Sequence, residues 1–144
     1  MTPNAADAPI IIREARPTDI ERVRECIEPF IRQGRLLPRT ADEMESLLAN
    51  GFVAEQGDRI VGCAALDVYS RKMAEIRSLA VSPEVQRKGI GRQLVEASVD
   101  RARQLHILEV MAITSTEEFF RSCGFDFTLP GEKKALFLQT RELP

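Results

Sequence analysis

Residues 81–92 carry the clearest structural signal of this chain, and they read Val81-Ser82-Pro83-Glu84-Val85-Gln86-Arg87-Lys88-Gly89-Ile90-Gly91-Arg92. The apolar stretch that ends at Val81 is typical of a strand. From Ile90 onward, apolar residues recur at helical spacing as far as Gln104. Two glycines therefore lie where a strand passes into a long helix, which is a common place for a ligand-binding loop.

This loop has the chemistry of a phosphate site. Glycine at positions 89 and 91 lets the backbone approach a ligand closely. The N–H groups and the positive dipole end of the following helix favour an anion, and Arg87, Lys88 and Arg92 add positive charge. The sequence has neither a Gly-Lys-Ser/Thr nor a complete Gly-x-Gly-x-x-Gly motif. The alternative is an ordinary helix start with solvated basic residues.

The elements around this loop predict an α/β chain of α+β type, a mixed and mostly antiparallel sheet with helices on both faces. The expected order is β-α-α-β-β-β-α-β-α-β-β. The predicted strands are 10–15, 52–55, 59–68, 74–81, 107–113, 124–127 and 135–140, and the last helix is 117–122. Thr18 with Glu21 and Thr40 with Glu43 have capping-box spacing at the first two helix starts. Pro29 is expected to bend the first helix or end it early.

Composition narrows the function classes. The chain has 144 residues and a net charge of −2, which gives no basic field for nucleic acid or an anionic membrane. It has three cysteines far apart and one histidine, which predicts neither a disulfide framework nor a metal site. We expect a disordered lead-in over residues 1–9 and one domain over 10–144, in the cytoplasm. A homodimer is compatible with this sequence.

The loop and its setting resemble the GNAT superfamily of N-acetyltransferases. Gln86-x-x-Gly89-x-Gly91 is similar to the loop that holds the pyrophosphate of acetyl-CoA there, and Phe119-Phe120 with Cys123-Gly124-Phe125 resembles a late helix-to-strand step of that fold. The resemblance implies acetyl-CoA as co-substrate. It assigns the cofactor contacts to one strand end and the loop, at Leu79, Ala80, Val81, Gln86, Arg87, Lys88, Gly89, Ile90, Gly91 and Arg92.

Four further segments are similar to the acetyltransferase domain of N-acetylglutamate synthases, in their short, stand-alone form. These segments are residues 34–40, 61–66, 74–81 and 113–120. The resemblance implies L-glutamate as the acetyl acceptor, with direct attack of its α-amine on the thioester. It includes Leu37 among the substrate-binding residues. Two features depart from that family: Pro38, and a C-terminal segment without the cysteines of many short forms.

The residues of the strand before the loop suit this chemistry. Alternation along the strand predicts Glu75, Arg77, Leu79 and Val81 on one face. A carboxylate at 75 is expected to act as the base that removes a proton from the incoming ammonium, whose pKa is about 8 in peptides. Arg77 and Arg39 are expected to bind the two carboxylates of glutamate. The alternatives are that Glu75 pairs with Arg77 and that Arg39 is solvated.

The proton donor for the departing thiolate is the least specified residue. Thr116 matches the position where the synthase family carries a hydroxyl with this role, and an ordinary first-turn residue is the alternative. Ser115 with Glu118 has capping-box spacing. Many GNAT enzymes use a tyrosine here, and the only tyrosine of this chain, Tyr69, lies outside the expected segment.

Other functions remain open at this stage. The acceptor could be another amino acid, a polyamine or a protein amine, although the basic loop from Arg32 to Arg39 favours an anionic acceptor. The chain could also be a non-catalytic acetyl-CoA-binding module, or an interaction domain that binds no CoA.

Overall fold

The computed structural model describes residues 5–127 and 135–141. It contains one five-stranded sheet with the strand order β1-β2-β3-β4-β5. The strands are β1 (Ile10–Glu14), β2 (Gly51–Gln56), β3 (Arg59–Val68), β4 (Met73–Val81) and β5 (Glu109–Met111). The first three strand pairs are antiparallel and the β4–β5 pair is parallel. The mixed, mostly antiparallel sheet is therefore confirmed.

Helices cover both faces of the sheet, as predicted. The helices are α1 (Ile20–Arg32), α2 (Ala41–Leu48), α3 (Ile90–Gln104) and α4 (Glu117–Ser122). On one face, apolar residues of α1 and α2 pack against Val53, Cys63 and Ala80. On the other face, Ile90 and Leu94 of α3 join a cluster with residues of β2 and β3. The strands β2, β3 and β4 thus contribute side chains to both hydrophobic cores.

The chain groups into two compact units, Met1–Thr114 and Ser115–Pro144. The first unit holds the sheet and α1 to α3. The second holds α4, where Phe120 packs edge-on against Phe119 and Phe125. The single domain over residues 10–144 stays a prediction.

The strand predictions after α3 need correction. The strand expected over 107–113 is only Glu109–Met111, because Leu108 and Ile113 on either side are 76% and 61% exposed. The closing strands expected over 124–127 and 135–140 are absent from those described residues. Leu136 and Leu138 are 92% and 86% exposed. An apolar run becomes a strand only where a neighbouring strand receives its hydrogen bonds, and residues 128–134 lie outside the described part.

The helix starts show which capping signals hold. Thr40 caps α2 as predicted, since its Oγ1 accepts from the Glu43 N–H at 3.2 Å. Thr18 does not cap α1: residues Pro17–Asp19 form a 3-10 turn, and the carboxylate of Asp19 accepts from the Arg16 N–H at 2.7 Å. The helix also does not end at Pro29 but continues to Arg32. Pro29 removes only one intrahelical bond near the helix end, where few remain to be lost.

Part of the predicted lead-in is ordered. Ala5–Asp7 forms a 3-10 turn. The side-chain amide of Gln56 donates to the carbonyls of Ala6 and Ala8 at 3.1 and 3.0 Å. Residues 5–8 are therefore tied to β2 where the sequence predicted disorder, and residues 1–4 lie outside the described part.

A charged network joins β1, β2 and α1. Asp19 is buried and accepts from Arg13 and Arg22 at 2.8 and 2.7 Å. Glu55 binds the same two arginines, each at 3.0 Å. The hydrogen bonds from Arg13 hold the pKa of Asp19 well below its ordinary value, and they raise the pKa of Arg13. The carboxylate of Asp19 therefore stabilises the fold only in its charged form.

We expect Asp19→Asn to lower the free energy of unfolding at pH 7 by roughly 2–4 kcal/mol, because Arg13 and Arg22 each lose one of their two carboxylate partners at a buried position. Urea unfolding measures this value. The folded-state pKa of Asp19 is depressed, so its contribution is complete above the ordinary carboxyl pKa of about 3.9 and is lost as the pH falls below it. The difference between variant and wild type should therefore shrink at pH 3.

Asp100→Asn is the matched control, because Asp100 pairs with Arg103 at 3.0 Å while both side chains are exposed. It should cost less than about 0.5 kcal/mol. Equal losses in the two variants would contradict the structural role of the Asp19 network.

Candidate active site

The loop after β4 has the backbone of an anion cradle. Arg87 and Gly89 both have left-handed φ angles, 68° and 79°. Successive N–H groups turn toward one side where such residues alternate with ordinary ones. Residues 86–89 are exposed, while Ile90 is buried and fixes the start of α3 to the core. Gly89 is the N-cap of α3, and a Cβ added there would meet nothing within 4 Å.

Two predicted contact residues have structural partners as well. The amide of Gln86 donates to the Val81 carbonyl at 2.9 Å, which ties the loop to the end of β4. Arg92 lies 3.8 Å from Glu96 on the surface of α3. The first-turn N–H groups around Gly91 have no carbonyl acceptor within the helix. The cradle thus combines backbone donors with basic side chains, and it suits a diphosphate such as that of CoA.

Strand β4 is interrupted by a bulge at Ser78. The register passes from Cys63↔Ala80 to Ala65↔Arg77, so β4 has one more residue than β3 in this interval. Ser78 takes a left-handed φ of 56°, and its carbonyl accepts from the Cys63 thiol at 3.3 Å. One extra residue moves all following side chains to the opposite face.

The bulge corrects the prediction that Glu75, Arg77, Leu79 and Val81 share one face. Glu75 and Arg77 pair across to Asp67 and Ala65, on the face of Cys63 and α1. Leu79 and Val81 pack against the core beneath α3. Glu75 and Arg77 therefore lie on the opposite face from Leu79 and Val81, whereas Ala80, which was also expected to hold the cofactor, packs on the α1 face.

The edge of β4 beyond the bulge is open. The β4–β5 pairing ends at Glu75↔Met111, whereas β4 continues to Val81. The Ser82 N–H donates to Val61 at 2.8 Å, so alternation turns the N–H and carbonyl of Val81 away from β3. Gln86 binds the Val81 carbonyl at this edge. The Val81 N–H at the same edge is thus a backbone donor that can bind a ligand.

Four polar groups meet on the α1 face of β3 and β4, and we call Asp67, Tyr69, Glu75 and Arg77 the β3–β4 cluster. Arg77 donates to Asp67 at 3.1 Å, and Tyr69 donates its hydroxyl to Glu75 Oε1. Arg77 pairs with Asp67 rather than with Glu75, so the alternative of a Glu75–Arg77 pair is not what the structure shows. Glu75 is 9% exposed, which gives a shielded carboxylate beside a guanidinium.

The other predicted substrate residues lie elsewhere. Arg39 precedes the α2 cap; its side chain is only 15% exposed and lies 4.0 Å from Glu43. Leu37 is 73% exposed. Thr116 is the N-cap residue of α4 in the second unit, and its side chain makes no capping hydrogen bond. The predicted roles of these three residues stay predictions.

Sequence reasoning missed three of the site's features: Asp67, the bulge at Ser78 and the contact of Tyr69. Asp67 could have been found, because alternation along β3 places it on the face of Cys63 and hairpin pairing brings it opposite Glu75. Nothing in the sequence marks Ser78 as left-handed. The contact of Tyr69 depends on the turn geometry between β3 and β4.

A surface pocket of about 170 Å³ lies between α1, the start of β3 and the segment after β4. Its lining includes Arg22, Cys26, Arg59 and Ser82, and it includes neither Glu75 nor Gly89. In the described part of the chain, no group of three or more His, Cys, Asp or Glu residues is placed to hold a metal. None of the helices in that part is long and apolar enough to cross a membrane.

The fold of the chain agrees with comparisons to known proteins. The model of the family described as acetyltransferase (GNAT) matches residues 18–125. The chain belongs to this family. It is an acetyltransferase that uses acetyl-CoA.

Named relatives of this acetyltransferase are amino-acid acetyltransferases. One from Mycobacterium tuberculosis is 31% identical over 87% of this chain and 73% of its own length. One from Neisseria meningitidis is 35% identical over 84% of this chain but only 28% of its own length. The structure of N-acetylglutamate synthase from Neisseria gonorrhoeae, complexed with coenzyme A and N-acetyl-glutamate, matches with a TM-score of 0.76 and 33% identity. That match covers 88% of this chain and 30% of the synthase.

We expect Gly89→Ala to raise the Kd for acetyl-CoA at least about tenfold, or about 1.4 kcal/mol. The left-handed φ disfavours any Cβ, and the added Cβ would project into the space that a diphosphate needs. Calorimetric titration measures the Kd. Gly89→Asn separates the two causes, since asparagine tolerates this backbone but still blocks close approach.

Gly57→Ala is the control, because Gly57 has a φ of 63° in the β2–β3 turn and its added Cβ would meet only Ala8 at 3.9 Å. It carries the same backbone strain outside the loop, so acetyl-CoA should bind it as it binds wild type. Wild-type affinity in both Gly89 variants would remove this loop from the cofactor site.

Proposed function

We propose that this acetyltransferase acetylates the α-amine of L-glutamate, with Glu75 as the proton acceptor. The observation that carries the proposal is the β3–β4 cluster, where Glu75 and Arg77 share one face beside the open edge of β4. The similarity to amino-acid acetyltransferases and to a synthase complexed with N-acetyl-glutamate supports the same acceptor class.

The charges of the cluster match an amino acid better than a simple amine. Glu75 and Asp67 are negative and attract an ammonium group, while Arg77 is positive and attracts a carboxylate. Asp67 occupies one of the five donors of the Arg77 guanidinium. It holds that group in place, and a guanidinium can fork onto a second carboxylate with its other donors. A polyamine would instead bring a further ammonium group beside Arg77, whose guanidinium has no acceptor to offer it.

The reaction needs an unprotonated amine. An α-amino group is mostly protonated at neutral pH, so a base must accept a proton before or during attack. Glu75 is a carboxylate with little solvent around it, and its second oxygen, Oε2, makes no hydrogen bond within the described residues. The amine loses its proton to Oε2 and attacks the thioester carbonyl, whose developing charge a backbone N–H at the open edge stabilises.

Acetyl-CoA supplies an activated acetyl group with a thiol as leaving group. This chain contributes the backbone of the loop from Gln86 to Arg92 for its diphosphate and the edge of β4 for the part that reaches the reacting carbon. Thr116 is the proposed donor of the proton to the departing sulfur, as the family resemblance implies. Arg39 is the second proposed carboxylate ligand, and the contact at Glu43 gives it a separate anchor.

A CoA-release assay across the twenty amino acids tests the acceptor. We expect L-glutamate to react on the order of 10²-fold faster, as kcat/KM, than L-glutamine or L-lysine, because neither analogue brings a second carboxylate to the remaining guanidinium donors of the site. A clear preference for lysine, spermidine or a peptide amine would overturn the glutamate acceptor. The acetyltransferase assignment would stand.

Variants of two residues test the mechanism. Glu75→Gln should lower kcat by about 10²–10⁴-fold with little change in acetyl-CoA affinity, since general-base catalysis contributes that much. Arg77→Ala should raise the KM for the amino acid, and Arg77→Lys should restore only part of it, because an ammonium lacks the planar fork. Arg103→Ala is the control, because Arg103 is 75% exposed on α3. An unaltered kcat in Glu75→Gln would return Glu75 to a structural role.

A further inference from the structure

The contact between Tyr69 and Glu75 has no part in the scheme above. The phenol hydroxyl donates to Glu75 Oε1. The turn between β3 and β4 holds Tyr69 by two bonds to Met73, since the N–H groups of Tyr69 and Ser70 donate to its carbonyl at 3.1 and 3.2 Å. Ser70 closes the turn by accepting from the Lys72 N–H at 3.1 Å. The ring is therefore presented to β4 by a fixed backbone.

This contact gives the two carboxylate oxygens of Glu75 different surroundings. Oε1 accepts from Tyr69, and Oε2 has no hydrogen-bond partner in the described part of the chain. The one fully buried side-chain polar atom without a partner in that part is Arg24 Nε. Oε2 is therefore not fully enclosed, and it can be reached by water or by a substrate. One oxygen is held and the other is left for proton transfer.

We infer that Tyr69 is the positioning residue of the acetyltransferase, with its hydroxyl fixing the Glu75 carboxylate so that Oε2 faces the incoming amine. The inference rests on the proposed function of Glu75 as proton acceptor. Proton transfer itself runs from the substrate ammonium to Oε2, and the phenol keeps its own proton throughout.

The charged groups near Tyr69 favour an arrangement in which its hydroxyl stays protonated and donates to Glu75. The charged groups around the phenol are Glu75, Asp67 and Arg77. The hydrogen bond to Glu75 is the main cause that raises the pKa of Tyr69 above its ordinary value of about 10, and burial adds to it. At neutral pH the hydroxyl is therefore protonated and donates.

The sequence provides a direct optical test. Tyr69 is the only tyrosine and the chain has no tryptophan, so the ultraviolet absorbance of tyrosinate reports this one hydroxyl. We expect the midpoint of its ionisation to lie at higher pH in wild type than in Glu75→Gln, which removes the neighbouring charge. Circular dichroism at each pH verifies that both proteins stay folded.

Glu45→Gln is the matched control, since it makes the same charge change at an exposed position of α2. Its midpoint should equal that of wild type. Equal midpoints in wild type and Glu75→Gln would overturn the inference. This measurement needs no substrate, so it gives an answer even if glutamate is not the acceptor.

The kinetic test uses Tyr69→Phe, with Arg103→Ala as a control at an exposed position of α3. Tyr69→Phe should lower kcat about tenfold while the KM for the amino acid and the Kd for acetyl-CoA stay near wild type, because the Glu75 carboxylate loses the hydrogen bond that orients it for proton transfer. Arg103→Ala should keep the wild-type kcat and KM. A wild-type kcat in Tyr69→Phe overturns the positioning role.

The two proposals fail in different ways. If glutamate is not acetylated, the assay runs with whichever amino acid is turned over, and the kcat of Tyr69→Phe still decides the role of Tyr69. If glutamate is acetylated but neither the optical midpoint in Glu75→Gln nor the kcat of Tyr69→Phe differs from wild type, the proposed function stands and the role of Tyr69 falls.

Discussion

The bulge at Ser78 is the constraint on which the arrangement of this site depends. Ser78 in the middle of β4 has a left-handed φ of 56°, and it reverses the faces to which the following side chains of the strand point. Before the bulge, Glu75 and Arg77 face α1, and after it Leu79 and Val81 face α3. A strand of regular alternation would place all four side chains on one face.

The backbone conformation of the bulge is energetically unfavourable for a residue with a side chain. A left-handed φ costs an L-residue roughly 1–2 kcal/mol, and the extra residue leaves part of the ladder unpaired. The thiol of Cys63, itself buried, donates to the Ser78 carbonyl and satisfies one of the groups that the bulge releases. The burial of Ala80 and Ile76 on either side fixes the strand in place. Packing on both faces therefore holds a conformation that the local sequence does not favour.

The parts of the fold that the sequence predicts well are those set by local signals. The Thr40–Glu43 cap, the glycine-rich start of α3 and the β2–β3 hairpin follow from residues within a few positions of one another. The sequence predictions are wrong where the structure depends on contacts with residues that are distant in the sequence. Asp19, rather than Thr18, organises the start of α1 because Arg13 and Arg22 approach it from β1 and from the helix itself. Residues 135–140 have a strand-like pattern, but no ladder forms in them.

The same distinction applies to the candidate site. Glycine spacing predicted a loop with left-handed backbone at the start of α3, since one short segment forms it, and its cofactor role stays a prediction. The β3–β4 cluster depends on the register of two strands, so its members could be nominated from the sequence but their pairing could not. Alternation gave Glu75 and Arg77 the same face, which is correct. Their actual partners, Tyr69 and Asp67, come from a neighbouring turn and strand.

Tyr69 holds the carboxylate of Glu75, and Asp67 holds the guanidinium of Arg77. Both groups are therefore fixed before a substrate binds. Less ordering then remains to be done on binding, and pre-organisation of this kind lowers the barrier to reaction.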